Sequence, residues 1–167
     1  LDGGYLRAAV EAVREATDLV VQLSTGGSVH DPLEQRLTVL DAEPDSCSLT
    51  CGTTNFGDDV FLNPWGFMSD LYVQAQEREV VPEFELFDLG HVHALARLVD
   101  THGLPFGGRV HVDFVTGVPG GMPATTVDGG PVALDDRERA TFAAVADHLI
   151  PAVADMPSAA DVVTDDR

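Results

Sequence analysis

Helix and strand patterns alternate along the first two thirds of the chain, and this alternation limits the possible folds more than any other feature. Apolar residues at helical spacing in residues 5–17 precede a strand-like run at 19–23, and the same order then returns three times. The later strands are predicted at 47–51, 83–88 and 109–115, and the later helices at 33–40, from Pro64 onward and after Gly90. Such repeats favour parallel neighbouring strands, because each crossover packs back onto the sheet with one handedness. The sequence therefore predicts an α/β fold.

Small polar and acidic residues stand at the ends of the predicted strands. They are Ser24, Thr50, Glu85 or Asp88, and Thr116. Since α/β proteins bind ligands beyond the carboxyl ends of their parallel strands, we expect these residues around one small-molecule site. Residues 116–125 then combine three glycines with two prolines. This backbone is suited to close approach to a ligand, and a tight surface turn is the alternative.

Strong acidity excludes nucleic acid as a partner. The 167 residues carry 28 acidic side chains against 9 basic ones, all arginine, for a formal net charge of -19. Phosphate binding needs the opposite sign. Salt screens the self-repulsion of such a chain, so we expect it to come from a microbe with a salt-adapted or otherwise acidic proteome. No run reaches the roughly 18 apolar residues of a membrane helix, and no signal-peptide pattern opens the chain, so we expect a cytoplasmic protein without a membrane partner.

Cys47 and Cys51, the two cysteines, begin and end the second predicted strand. On a strand their Cα atoms stand about 13 Å apart, too far for a disulfide. We expect two buried thiols rather than a metal or redox site.

Two other segments have the composition of metal sites without their geometry. His91 and His93 open a predicted helix, where side chains two positions apart diverge by about 200° and do not share an ion. Asp58 and Asp59 lie in the long connection 52–63, which lacks the spacing of a calcium loop. We assign no metal ligand in this chain.

Four segments occur in an order and spacing that identify a family. They read STGG at 24–27, SLTCGTTNFGDDVFLNP at 48–64, PEFELFDLGH at 82–91 and GVPGGMPAT at 117–125. Together they resemble the β-keto acid cleavage enzymes, typified by the 3-keto-5-aminohexanoate cleavage enzyme of lysine fermentation, an amino-acid catabolic pathway. The resemblance implies a TIM barrel, of which this chain carries about four central strands.

The resemblance also implies a transferase that splits a small β-keto acid with acetyl-CoA, giving acetoacetate and a new acyl-CoA. In the family a divalent metal, usually zinc, polarises the keto group. Its ligands, a His-X-His pair on an early strand and a glutamate on a late one, have no counterpart in this sequence. We expect those ligands to belong upstream of Leu1 and beyond about residue 126. A catalytically inactive fragment or scaffold of the family is the alternative.

Site residues are implied at four positions by the same resemblance. Substrate contacts fall on Ser24, Gly27 and Ser48, with Thr50 as the alternative to Ser48 on the same strand face. Their hydroxyl and backbone donors suit a carboxylate or a carbonyl oxygen, although strand-end capping is another role for the hydroxyls. Glu85 is the catalytic candidate. It is flanked by apolar residues, and either pairs with an amine of the substrate or acts as a base.

Residues 127–167 are predicted to be separate from the barrel segment 1–126. Asp128-Gly129-Gly130-Pro131 is a linker signal, and the pattern after it predicts an amphipathic helix ending before Pro151, within an acidic tail. A four-stranded part of a barrel also leaves two strand edges unpaired. We therefore expect a homo-oligomer or a complementing fragment.

Overall fold

A parallel sheet with packed helices forms the described part of the chain, residues 3–124 of the computed structural model. In chain order the elements are α1 (Gly3–Ala16), β1 (Gln22–Leu23), α2 (Leu33–Leu37), a 3-10 turn (Thr38–Ala42), β2 (Ser46–Thr50), β3 (Thr54–Phe56), β4 (Asp59–Phe61), α3 (Trp65–Glu77), β5 (Val81–Leu86), α4 (Leu89–His102) and β6 (His111–Phe114). The predicted helical tail at 127–167 lies outside the described residues. No helix within residues 3–124 is both long enough and apolar enough to cross a membrane.

The main sheet is wound in sequence. Its four strands follow the order β1-β2-β5-β6, and every neighbouring pair is parallel. Each strand thus lies beside the strand of the next repeat, without the reversal of a doubly wound sheet. The predicted α/β class and the partial TIM barrel are confirmed.

The two faces of the sheet differ in polarity. Along β5, Phe84 and Leu86 are buried, whereas Glu83 and Glu85 on the other face remain partly exposed. The helix α3 packs on β2 and β5 from the apolar side, where the ring of Tyr72 lies 5.8 Å from that of Phe84. The opposite face, which corresponds to the inside of a barrel, therefore carries the carboxylates.

Both cysteines belong to the buried core and are free, as predicted. Burial raises the pKa of the Cys47 thiol to about 12. Burial also raises the pKa of Cys51, and the charge of Glu85 adds to this effect. Both thiols are therefore protonated at neutral pH and poorly reactive.

Two elements differ from the predictions. The first strand is limited to Gln22–Leu23, which pair with Ser46 and Cys47 at the start of β2, and Leu19 and Val20 before it are 65% and 77% exposed. The long connection after β2 contains an unpredicted antiparallel hairpin, β3–β4, whose turn is made by Gly57 at a φ of 66°. The hairpin escaped prediction because its strands are only three residues long.

Candidate functional site

A cavity of about 200 Å³ lies at the carboxyl ends of β1 and β5. Its lining comes from the loop after β1, the hairpin and the end of β5. The lining residues are Ser24, Gly26, Gly27, Val29, Phe56, Phe61, Glu85 and Phe87. Three of the five predicted site residues, Ser24, Gly27 and Glu85, are therefore brought together at one cavity.

A larger groove of about 470 Å³ is lined by Arg7, Asp41, Glu43 and Arg78. These side chains pair with one another, Arg7 with Glu43 and Arg78 with Asp41. Asp41 and Glu43 precede β2 and Arg78 precedes β5, so the groove lies at the amino ends of the strands. Residues at that end of a parallel barrel serve stability, and the smaller cavity is the better candidate for chemistry.

Glu85 reaches the cavity from the polar face of β5. Its Oε2 accepts a hydrogen bond of 2.5 Å from the hydroxyl of Thr50 on the neighbouring strand. Burial is the main cause that raises the pKa of Glu85, and the carboxylates of Glu83 and Asp113 act in the same direction. The Thr50 hydrogen bond and the charge of Arg36 oppose this rise without cancelling it. The carboxyl group is thus suited to take up a proton or to bind a cation.

The loop after β1 has one conformation fixed by its own contacts. The Ser24 hydroxyl oxygen accepts a hydrogen bond of 3.1 Å from the Gly26 N–H. Gly27 adopts a φ of 61°, and a Cβ there would stand 2.5 Å from the Asp31 carboxylate. That carboxylate accepts a 2.7 Å hydrogen bond from the Ser28 N–H. Glycine at position 27 is therefore required by the backbone, independently of any ligand.

Ser48 and Thr50, the predicted alternatives on β2, have different partners, and neither lines the cavity. The Ser48 hydroxyl oxygen accepts a 3.1 Å hydrogen bond from the Thr25 N–H, while the Thr25 hydroxyl donates to the Ser48 carbonyl at 2.7 Å. Ser48 is 3% exposed, so its hydroxyl holds the loop after β1. Thr50 affects the cavity indirectly, because its hydroxyl donates a hydrogen bond to Glu85.

Phe56, Phe61 and Phe87 form an aromatic wall of the cavity, which the sequence did not predict. Phe56 lies 6.1 Å from Phe61 and 6.3 Å from Phe87 between ring centroids, and both pairs meet edge to face. Two of these rings belong to the hairpin, so recognising it was necessary to place them. The sequence signal was Asn55-Phe56-Gly57-Asp58, a glycine turn flanked by an aromatic residue.

The glycine- and proline-rich loop after β6 supports the hairpin instead of the cavity, whose lining contains none of its residues. The Gly57 N–H donates to the Pro119 carbonyl at 3.0 Å. A Cβ at Gly120 would stand 2.5 Å from the Asn55 carbonyl oxygen, and one at Gly121 would stand 3.0 Å from that of Phe87. Whether this backbone also approaches a ligand stays a prediction. Its glycines allow two segments of the same chain to approach closely.

The acid and the histidines after β5 have structural roles. Asp88 caps α4, since its side chain accepts hydrogen bonds from the N–H groups of Gly90 and His91. His91 is 4% exposed, and its Nδ1 accepts a 3.1 Å hydrogen bond from the Phe87 N–H. Burial lowers the pKa of His91, so the ring is neutral. His93 is exposed on α4.

Metal binding has no ligand set in the described residues. Within residues 3–124, no group of three or more His, Cys, Asp or Glu side chains is arranged to hold an ion. These residues do not match the divalent metal that the resemblance implies, and we derive no step through it.

Comparison with known proteins agrees with this fold. The sequence profile of the β-keto acid cleavage enzyme family matches residues 1–147. The chain is 36% identical over 124 residues to the 3-keto-5-aminohexanoate cleavage enzyme of Acetoanaerobium sticklandii, which covers 73% of this chain and 45% of that one. The enzyme of the same name from Fusobacterium nucleatum is 35% identical over 119 residues, covering 70% and 43%.

More distant relatives extend the comparison. The 3-oxoadipate:acetyl-CoA acetyltransferase of Cupriavidus necator is 30% identical over 115 residues, covering 68% of this chain and 39% of that one. The solved complex of ObcA with oxaloacetate has a TM-score of 0.59 at 22% identity, covering 68% and 26%, and shows likeness of fold alone. The chain spans less than half the length of these curated relatives. It belongs to the β-keto acid cleavage enzyme family.

Proposed function

We propose that this chain forms the substrate-binding part of an enzyme that splits a β-keto acid with acetyl-CoA. The two substrates exchange acyl groups in this reaction. The R–CO group of R–CO–CH2–COO⁻ passes to the sulfur of CoA, and the acetyl group joins CH2–COO⁻ to give acetoacetate. The observation that carries the proposal is the meeting of Ser24, Gly27 and Glu85 at one cavity beyond the strand ends.

The polar groups of the cavity suit the two ends of such a substrate. We assign the Ser24 hydroxyl and the backbone of Gly27 to the substrate carboxylate or keto oxygen, which both accept hydrogen bonds. Ser48 and Thr50 support this arrangement from behind, through Thr25 and Glu85 respectively.

Glu85 is assigned to an ammonium group of the substrate. A carboxylate beside three phenylalanine rings attracts a cation both by charge and by the negative faces of the rings. Two relatives at 35% and 36% identity are named for an amino-substituted keto acid, which supports a role in amino-acid catabolism such as lysine fermentation. The raised pKa of Glu85 also supports proton transfer, the alternative role of this carboxyl.

A second candidate function is binding without catalysis. In this alternative the chain is a family member that holds the keto acid and does not convert it. Its cavity would be the same, so binding and turnover must be measured separately.

Calorimetric titration of the full chain with 3-keto-5-aminohexanoate tests the binding site. We expect saturable binding that becomes roughly tenfold weaker in Glu85→Gln, because the amide carries no charge to pair with the ammonium. Asp100→Asn on the exposed side of α4 is the matched control and should bind like the unmutated chain. Absence of binding, or equal weakening in both variants, would contradict the assignment.

Acetoacetate formation separates the two candidates. The chain is incubated with the same keto acid and acetyl-CoA, with and without zinc chloride. Turnover that requires zinc supports the enzyme, and binding without turnover at any zinc concentration supports the second candidate.

A further inference from the structure

Arg36 carries a positive charge into the interior of the described part. The residue is 2% exposed, and it follows the loop that contributes Ser24 and Gly27 to the cavity. Its Nε–H donates to the Thr25 carbonyl at 2.7 Å, one Nη donates to the Leu62 carbonyl at 2.7 Å, and the other donates to Asn63 Oδ1 at 2.6 Å. All three acceptors are neutral, so hydrogen bonds satisfy the guanidinium without neutralising its charge.

Aromatic rings enclose the same group. The central carbon of the guanidinium lies 4.6 Å from the centroid of Phe61 and 4.4 Å from that of Phe67. Burial lowers the pKa of Arg36, while the charges of Asp31 and Glu85 raise it. An arginine remains protonated under such conditions, and its charge is felt at the Glu85 carboxyl.

The contacts of Arg36 with Thr25, Phe61 and Leu62 lead to the walls of the cavity. Thr25 stands between Ser24 and Gly26, and it is also bound to Ser48 on β2. Phe61 lines the cavity, and Leu62 follows it at the end of the hairpin. The guanidinium thus joins the loop after β1 to the aromatic wall.

The three acceptors around Arg36 require a donor at this position. An apolar side chain of similar length would pack on Phe61 and Phe67, but it would leave the Thr25 and Leu62 carbonyls and Asn63 Oδ1 without these hydrogen bonds. Arginine supplies three directed donors from one planar group.

We propose that Arg36 is a positioning residue for the Glu85 cavity: its guanidinium fixes the loop from Ser24 to Gly27 against the hairpin and adds a permanent positive charge to the surroundings of the cavity. The inference rests on the proposed function, which makes this cavity the substrate pocket. The geometric role comes from three directed hydrogen bonds, and the electrostatic role comes from the charge that they leave uncancelled.

Two substitutions at Arg36 separate these roles, and they are compared by NMR of the full chain. Arg36→Met removes both the charge and the three hydrogen bonds, whereas Arg36→Lys keeps the charge and loses the planar three-point geometry. In Arg36→Met we expect the titration midpoint of the Glu85 carboxyl to rise by about half a pH unit or more. Amide exchange at residues 25–27 should accelerate roughly tenfold in both variants. In Arg36→Lys the Glu85 midpoint should stay close to that of the unmutated chain.

Arg97→Met is the matched control. Arg97 also stacks on an aromatic ring, 3.6 Å from the centroid of Trp65, but it is exposed on α4 and does not line the cavity. This variant should change neither the Glu85 midpoint nor the exchange at residues 25–27. The proposal is overturned if Arg36→Met leaves the Glu85 midpoint unchanged, or if loop exchange in Arg36→Met equals that in Arg97→Met.

The unmutated chain provides a test that needs no folded Arg36 variant. The Nε–H of Arg36 should exchange with solvent roughly tenfold or more slowly than that of Arg97, because it is buried and bonded. Equal exchange rates would refute the fixed geometry. Failure of the proposed function would instead show as absent keto acid binding, with these NMR readouts unaffected.

Discussion

Among single residues, Glu85 faces two opposing demands. Partial burial disfavours its charge, whereas binding an ammonium group requires that charge. Because the folded state raises the pKa of this carboxyl above its ordinary value of 4.5, the folded state binds the proton more tightly than the unfolded chain does. The resulting stabilisation is fully present below the unfolded pKa and is lost as the pH rises through the folded pKa. At neutral pH the ionised carboxylate therefore lowers the stability of the fold.

Glu85→Gln should remove this loss of fold stability at neutral pH. We expect its melting temperature at pH 7 to exceed that of the unmutated chain by roughly 2–4 °C, because the amide never ionises and still accepts the Thr50 hydrogen bond. The gain should vanish near pH 4, where the carboxyl is protonated in both states. Circular dichroism melts at both pH values measure it, with the exposed Glu77→Gln as a control without effect. A lower melting temperature for Glu85→Gln at pH 7 would disprove this account.

The residues that sequence alone could place are those whose position follows from strand ends. Ser24 follows one predicted strand and Glu85 lies within another, and parallel pairing brings the carboxyl-terminal parts of these strands to one edge. Arg36 could not be found in this way, since its role depends on a hairpin that the sequence pattern did not reveal. The alternation of β2 puts Ser48 and Thr50 on the same face, but only the folded chain shows that Ser48 bonds Thr25 in the loop after β1 and that Thr50 bonds Glu85 on β5.

At the scale of elements, the hairpin β3–β4 and the loop after β6 form one supporting unit for the aromatic wall. The Gly57 and Pro119 backbones are hydrogen-bonded, and the Met122 N–H donates to the Phe87 carbonyl at 2.7 Å. Contact at Gly120 is so close that no side chain has room. The position of Phe56 therefore depends on a segment more than sixty residues later, as the hydrogen bond from Thr54 to Gly120 with a separation of 66 shows. Short-range patterns could not predict this support.

Gly120→Ala should disrupt that unit. Its φ of 101° is unfavourable for alanine, and the new Cβ would lie 2.5 Å from the Asn55 Cβ and carbonyl oxygen. We expect the free energy of unfolding to fall by about 2–4 kcal/mol, as measured by urea denaturation. Gly66→Ala in α3 is the control, since its Cβ meets nothing within 4 Å and alanine should stabilise a helix by about 0.5–1 kcal/mol. Equal stability of Gly120→Ala and the unmutated chain would show that the loop and hairpin do not pack as described.

For the whole molecule, the two outer strands of the sheet and the acidic charge act in opposite directions. Among the described residues 3–124, β1 and β6 are the edges of the four-stranded sheet, and Leu19 and Val20 before β1 are exposed. Exposed strand edges promote association with other chains, whereas a formal charge of -19 repels like molecules. Salt screens the repulsion and leaves the pairing of backbone groups intact.

Size-exclusion chromatography with light scattering should therefore show association that increases with salt. We expect an oligomer or aggregate in about 2 M potassium chloride and a smaller species in about 0.1 M, since the screening length falls from roughly 10 Å to below 3 Å. A compact monomer with a sharp melting transition at high salt would contradict this expectation.

Sequential winding of the sheet also has a consequence for how such a fold can change in length. No strand between β1 and β6 would need to be displaced to admit another, because each pairs with the unit that comes next in the chain. A further strand-helix unit could pair with β1 or with β6, and the register of the existing strand pairs would not change. A sheet of this kind can therefore gain strand-helix units at its two ends without being rearranged.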